Sequence, residues 1–459
     1  MPRSIINMLQ LKMMALFLLL LLSATSNKAF SSKQIRLEGF YGASVHKTME
    51  EYAISGVVSY MGSQIFESFY VNWQVDTMQV YSEHFDSINI NPNILFEYQM
   101  EHSWLPEEQG KYELKIWYSG LNGNDPGITA SDTIHRVVEV LPDLPQKQMA
   151  LLESFSSINC GSCAIVAPVL REMIDKDPEK YAMIYYHPMS HEQSPLYLFN
   201  PKDQDSRRDF YEVFFTPYAV IGDVYQGVSQ NVDPGLLHID QQRWAGFTLG
   251  GHWHVMEDLL HFSVEGDILV ALDNPDKDYR LLIAATQDTV AFDSPPGTNG
   301  ESEFHDVMRF LAPDANGVRL TANSFSESFH LGLSTPFHPE LDTTKISLTA
   351  FIQEMNTGEI HQAARLEHQQ PDPTFAPHTQ VNNKAYQVFP NPASTQFTIL
   401  PTGSNRVDRI RIYDIQGRSW LSLEQPGKTI DIRQIPSGLY LIVLEADGAY
   451  HRKKISVIR

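Results

Sequence analysis

Residues 33–142 carry apolar positions in short runs, at 54–60, 69–75, 112–118 and 134–141, broken by turn residues at Asn91-Pro92, Gly110 and Asn122-Gly123-Asn124. Short strands at this spacing predict a β-sandwich. After Leu141-Pro142-Asp143-Leu144-Pro145, which reads as a linker, the period changes. A mostly apolar run at 149–155 is followed by Cys160-Gly161-Ser162-Cys163, and then Val166, Val169, Leu170, Met173 and Ile174 recur at helical spacing. A second buried strand is predicted at 181–186, ending at His187-Pro188, and a helix over about 203–214. Phe215-Thr216-Pro217 then leads into another apolar strand. From about 246 to 367 the pattern is β-rich again, with strands at 259–264, 268–272, 279–286 and 346–352. Residues 368–384, rich in Pro, Gln, Asn and His, read as a linker, and 385–459 as a small all-β unit.

The first 29 residues are of another kind. Arg3 and Lys12 precede an unbroken apolar stretch at 13–22, followed by small and polar residues. That is the pattern of a secretory signal peptide, and the stretch is shorter than the roughly 20 apolar residues a spanning helix needs. Cleavage after Ser26 or Ala29 fits the preference for small residues, and a cut after Ala29 removes Arg3, Lys12 and Lys28 and no acid, moving the formal charge from −21 to −24. So acidic a surface argues against nucleic acid as a partner.

Export changes the meaning of the cysteines. The 459 residues contain only two, Cys160 and Cys163. An exported chain commonly carries several structural disulfides, and here there can be one. A thiolate in the first turn of a helix is stabilised by unpaired N–H groups and the helix dipole, so Cys160 is expected to be the attacking thiol and Cys163 the resolving one. A disulfide closing so short a loop contributes only about 2 kcal/mol as a staple. Two rivals stand beside the exchange reading. The pair is a local staple in a surface adhesion or binding protein, or Cys160, Cys163, His187 and His191 are four zinc ligands. His187 is also a candidate for tuning the thiolate or shuttling a proton. No cofactor and no metal is assigned. Asn122, Asn124 and Asp125 offer oxygen ligands for calcium, but no later bidentate Glu follows, so a plain turn is the expectation.

Strand, CxxC at a helix start, strand, helix, then Thr216-Pro217 before an apolar strand resembles a thioredoxin fold. The resemblance implies a cis proline at Pro217 beside the CxxC, with Thr216 before it shaping a peptide groove. Asn159 stands where many thioredoxin-like enzymes have Trp. Leu151-Leu152-Glu153-Ser154-Phe155, together with the Phe-x-Gln segment Phe351 to Gln353, resembles the outer-membrane-protein-28-related family of exported Bacteroidetes proteins. That family pairs a thioredoxin-like core with β-rich surroundings, and Phe304-His305-Asp306-Val307-Met308-Arg309-Phe310 fits its β-rich half. Gly110-Lys111-Tyr112-Glu113-Leu114-Lys115-Ile116-Trp117 resembles the cell-adhesion-related immunoglobulin-like domain.

Phe389-Pro390-Asn391-Pro392, Ile412-Tyr413-Asp414-Ile415-Gln416-Gly417-Arg418, Ile435-Pro436-Ser437-Gly438-Leu439-Tyr440 and the closing Lys453-Lys454-Ile455 resemble the type A C-terminal sorting domain of the type IX secretion system. This implies the type IX machinery as a partner and the cell surface, outer membrane or exterior as destination.

The expected organisation is therefore multidomain and predominantly β with one α/β domain. It comprises a signal peptide (1–29), an immunoglobulin-like sandwich (33–142), a thioredoxin-like domain (146–243), a β-rich domain (246–367), a linker (368–384) and a sorting domain (385–459). The expected chemistry is thiol–disulfide exchange on extracytoplasmic proteins. With no reductase domain in view, an oxidase or isomerase role is easier to sustain than a reductase.

Overall fold

The computed structural model describes residues 35–125, 127, 129–188, 194–256, 259–321, 327–338, 341–369, 386–401, 407–414, 419–446 and 449–458. The expected signal peptide, His191, Gly417 and most of the expected linker lie outside these residues. The chain is multidomain and built mainly of sheets, in two compact units.

Among the described residues, the first unit takes in the chain up to Phe40, Ala53–Trp104 and Tyr112–Val137. Its strands are β1 (Ile35–Phe40), β3 (Ser55–Tyr60), β4 (Phe69–Val75), β5 (Tyr81–Phe85), β6 (Leu95–Gln99) and β7 (Gly110–Ser119); β2 (Val45–Lys47) and the end of β8 (Ile134–Leu141) belong to the second unit. One sheet runs β1-β3-β6, and β4 lies between β5 and β7 in another. Alternate residues turn inward, and the rings of Phe66, Phe69, Phe85, Phe96, Tyr98 and Tyr118 interlock among themselves. Asn122, at φ 48°, accepts hydrogen bonds from the Glu67 and Ser68 amides and donates to the Ile65 carbonyl, so its side chain closes a turn.

The second unit opens with β9 (Ala150–Phe155), α1 (Gly161–Asp175), β10 (Tyr181–Tyr186), α2 (Pro195–Leu198), α3 (Pro201–Phe210), β11 (Tyr218–Ile221), β12 (Tyr225–Val228) and α4 (Pro234–Gln241). It continues with β13 (Gly250–Met256), β14 (Leu259–Asp267), β15 (Tyr279–Ala291), β16 (Glu303–Ala312), β17 (Val318–Arg319), β18 (Ser328–Pro336), β19 (Ile346–Glu354), β20 (Ile360–Arg365) and β21 (Glu367–His368). The strands β12-β11-β9-β10-β16-β15-β19-β20 follow one another across a single sheet, with β17 on β15. Parallel β10 and β16 join at Tyr185 and Val307, so the sheet runs without a break across the boundary expected at 243–246.

This sheet is buried on both faces, as the two periodic sets of its central strands require. Leu281, Ile283 and Ala285 of β15 and Leu348, Ala350 and Ile352 of β19 enter one core, with Trp253, Leu260, Phe262 and Val264 of a second, four-stranded sheet, β18-β14-β13-β21. Leu282, Ala284 and Phe351 point the other way, into a core with Leu151, Phe155, Ile184 and Tyr186.

The tail has strands β22 (Tyr386–Phe389), β23 (Gln396–Pro401), β24 (Arg409–Asp414), β25 (Ser419–Glu424), β26 (Thr429–Asp431), β27 (Gly438–Ala446) and β28 (Ala449–Val457). Sheets β22-β23-β26 and β25-β24-β27-β28 share one core, in which Phe397, Ile399 and Ile430 meet Ile410, Ile412, Ile442 and Leu444.

Candidate functional site

The only two cysteines of the chain are joined, with Sγ–Sγ 2.06 Å and Cα–Cα 5.2 Å. Cys160 is the N-cap of α1, extended at φ −99° and ψ 104°, and its Sγ accepts a hydrogen bond from the Cys163 amide at 3.1 Å. One orphan donor of the helix start is thus aimed at the outer sulfur. Cys163 lies one turn deeper on the buried stripe with Val166, Leu170 and Ile174, fully shielded, whereas Cys160 is half-exposed. Ile165 and Val169, on the outer side of the same helix, are exposed.

Register places the expected proline at the same end of the sheet. Tyr218 of β11 pairs with Phe155, the last residue of β9, so Thr216-Pro217 lies level with the loop leading to Cys160. The Thr216–Pro217 bond is cis, Pro217 is buried, and Thr216 is half-buried. Phe214 and Phe215 just before them are exposed, Phe214 at 80%.

His187 follows β10 and is fully buried, with its ring edge-on to Tyr185 and Phe304. Neither ring nitrogen has a hydrogen-bond partner among the described residues. Burial, with the Arg309 charge adding to it, pushes its pKa down to about 3, so the ring is neutral at physiological pH. His187 is brought to the strand end, but without a polar link to the cysteines.

A wall of the site comes from far along the chain. Asn159 Oδ1 accepts from the Thr298 amide at 3.0 Å and from its hydroxyl at 3.2 Å. The Asn299 amide donates to the Ile158 carbonyl, and the Asn299 side chain to the Ser157 carbonyl. A Cβ on Gly297 would stand 2.2 Å from the Ile158 oxygen, so only glycine allows this approach. The sequence marks Asn159 as a departure but does not show its partners, for which the turn signal Pro295-Pro296-Gly297 is a hint.

Beneath the disulfide end of β9, Glu153 is completely buried and paired with Arg207 of α3 at 2.5 Å and 3.0 Å. Tyr186 and Tyr211 hydroxyls donate to the same carboxylate, and Gln353 Oε1 accepts from the guanidinium at 3.0 Å. Neighbouring carboxylate and phenol charges outweigh desolvation and hold Arg207 above its usual pKa, and burial pushes both tyrosines up. The distinctive phrase of β16 has structural duties. Phe304 covers His187, Asp306 pairs with Arg171 of α1 at 2.6 Å, and the Arg309 guanidinium lies over Phe199. Among the described residues, no three His, Cys, Asp or Glu side chains stand together as metal ligands.

The tail's motif residues also have visible work. Asn391 Oδ1 accepts from the Ser456 amide and its Nδ2 donates to the Lys454 carbonyl, tying the Pro-Asn-Pro segment to β28. Tyr440 donates to the Pro436 carbonyl, and Trp420 Nε1 to Asp414. Residues 387–458 match the secretion system C-terminal sorting domain. This type IX sorting domain implies interaction with the type IX secretion machinery and export to the cell surface or outer membrane.

No curated protein sequence matches the chain. Among solved structures it is similar to HBP35 of Porphyromonas gingivalis, at 14% identity and a TM-score of 0.44, covering 69% of this chain and 100% of that one. A domain of the outer membrane lipoprotein Omp28 from Porphyromonas gingivalis matches at 14% identity and a TM-score of 0.20, over 28% of this chain and 92% of that one. The CARDB domain of a Pyrococcus furiosus protein matches at 14% identity and a TM-score of 0.20, over 24% and 96%.

Proposed function

We propose that residues 146–243 form a thioredoxin-like domain, followed by the β-rich domain 246–367, and that its CxxC exchanges disulfides with proteins outside the cytoplasm. Residues 1–29 serve as the export signal and 33–142 as an immunoglobulin-like module. Support for the domain assignment is the order β12-β11-β9-β10, with β9 and β10 parallel and β11 antiparallel to both β9 and β12, and α1 between the parallel strands.

The observation that carries the chemistry is the asymmetry of the pair: a half-exposed Cys160 with an amide donor on its sulfur, above a fully buried Cys163. In the oxidising direction a substrate thiolate attacks Cys160 Sγ, breaking the Cys160–Cys163 bond and releasing Cys163 as the leaving sulfur. A second substrate thiolate then attacks the mixed disulfide and expels Cys160 as thiolate. The substrate loses two electrons and the pair gains them. The Cys163 amide and the helix start stabilise the expelled charge. Thr216-Pro217, with exposed Phe214 and Phe215 before them, supply the rim for an extended apolar peptide.

The test is the pH dependence of Cys160 alkylation in the reduced protein, followed by mass spectrometry, with zinc measured on the same sample. The expected result is a thiolate titrating below about 7 without zinc. A value near the free-cysteine figure of about 8.5 would instead favour a surface-binding protein with a local disulfide staple.

A further inference from the structure

The sheet β18-β14-β13-β21 buries one face, with Trp253, Leu260, Phe262, Val264 and Phe329 turned into the core. Period-two alternation therefore puts the intervening residues on its other face. Those residues are His252 and His254 on β13, His261 and Ser263 on β14, and His330 and Ser334 on β18, all half-buried or exposed. They fall into two rows. In the first, His252 pairs with Ser263, whose hydroxyl meets His330 Nε2 at 2.9 Å. In the second, His254 pairs directly with His261, and His261 with Ser334.

The second row has the makings of a ligand set. The His254 and His261 rings stack with centroids 5.1 Å apart and planes at 21°. Directly opposed cross-strand residues have Cβ atoms about 4.5–5.5 Å apart, close enough for two imidazoles to share one ion after small side-chain rotations. Ser334 Oγ lies 2.8 Å from His261 Nδ1. With Nδ1–H donated to that hydroxyl, the ring plane is fixed and Nε2 is the ligating nitrogen, the outer-shell arrangement common to metal-bound histidines. The geometry points to His254 and His261 as a two-histidine site for a borderline divalent transition-metal ion such as Zn2+. Imidazole pairs suit Zn2+, Ni2+ and Cu2+ and discriminate against Mg2+ and Ca2+. His252, two residues from His254 on the same face, is the nearest third donor in sequence. The remaining positions on the ion go to water, so binding is exchangeable.

The test is calorimetric titration of the full-length exported protein with zinc chloride, its disulfide intact so that thiolates contribute nothing. Saturable binding of one ion is expected, with no response to magnesium. His254→Asn and His261→Asn should each weaken it by about ten-fold or more, and Ser334→Ala by a smaller factor through loss of ring orientation. His238→Asn, on the exposed side of α4, should leave it unchanged. Absence of saturable zinc binding in the wild type, or equal affinities in the wild type and the folded His254→Asn/His261→Asn double variant, would overturn the site. Should either single variant unfold, Ser334→Ala decides instead: a weakened affinity supports the site, and an unaltered one overturns it.

Discussion

Glu153 and Gln353, two hundred positions apart, hold the same guanidinium, that of Arg207. All three side chains are buried, and they tie β9, α3 and β19 together under the CxxC end of the sheet. Arg207→Leu leaves a buried carboxylate without its cation, and the expected loss is about 3–5 kcal/mol in urea unfolding. Adding Glu153→Leu should restore part of that loss, since an apolar pair incurs no desolvation of charge. A loss below about 1 kcal/mol for Arg207→Leu would mean the ion pair is not sealed from water.

Asn159→Ala removes the side-chain acceptor for Thr298 and loosens the wall beside Cys160. Stability should fall by about 1 kcal/mol, with faster proteolysis within residues 293–301 and faster alkylation of reduced Cys160. Gly297→Ala should give the same phenotype by steric exclusion. Unchanged cleavage in both variants would dissociate this wall from the site.

The burial difference within the disulfide predicts which single-cysteine variant traps a partner. Cys163→Ser keeps the accessible Cys160 and should accumulate a mixed disulfide with an oxidised model peptide, whereas Cys160→Ser should not. Equal trapping by both variants would argue against Cys160 as the attacking sulfur.

His187 gives the second unit an acid-sensitive point. Its pKa is about 3 in the folded protein against 6.5 unfolded, so its contribution is complete above pH 6.5 and is lost as pH falls through about 3. A displacement of that size is worth on the order of 5 kcal/mol. Asp306 works against it. Burial pushes its carboxyl up to about 6 despite Arg171, so its contribution is present below about 3.8 and lost as pH rises through 6. Between pH 4 and 6 the two slopes are opposite and about one proton each, so wild-type stability should be nearly flat there. His187→Leu leaves the Asp306 slope uncompensated, and stability should then fall from pH 4 to 6, as followed by denaturant midpoints at each pH.

Residues 385–459 fused to an exported reporter should carry it to the surface of a host with type IX secretion. Ile442→Asp, which places a charge in the tail's shared core, should abolish delivery. Finding the intact fusion confined to the periplasm would contradict an address function for the tail.

The parts legible in the sequence were those whose cause is local. The strand patterns, the helix beginning at Cys160 and the sorting-domain turns all follow from period and turn chemistry. The Asn159–Thr298 bonds, the Arg207 network and the His254–His261 row were not legible. Each joins residues whose adjacency is set by strand order and register, and no local pattern encodes that. The motif residues Glu153 and Gln353 were singled out by resemblance, and the structure supplies their physical reason: both are needed to bury one arginine.

The junction of β10 with β16 has a consequence for dissection of the protein. A fragment ending at Arg243 would keep both cysteines and the cis proline but uncover the flank of β10 that β16 occupies, together with Ile184 and Tyr186. An unpaired parallel edge backed by bare apolar side chains is an invitation to self-association. The cysteine-bearing segment and the strands that follow it are therefore better regarded as a single heritable and expressible piece, in which changes to the later strands reach the cysteines through shared hydrogen bonds.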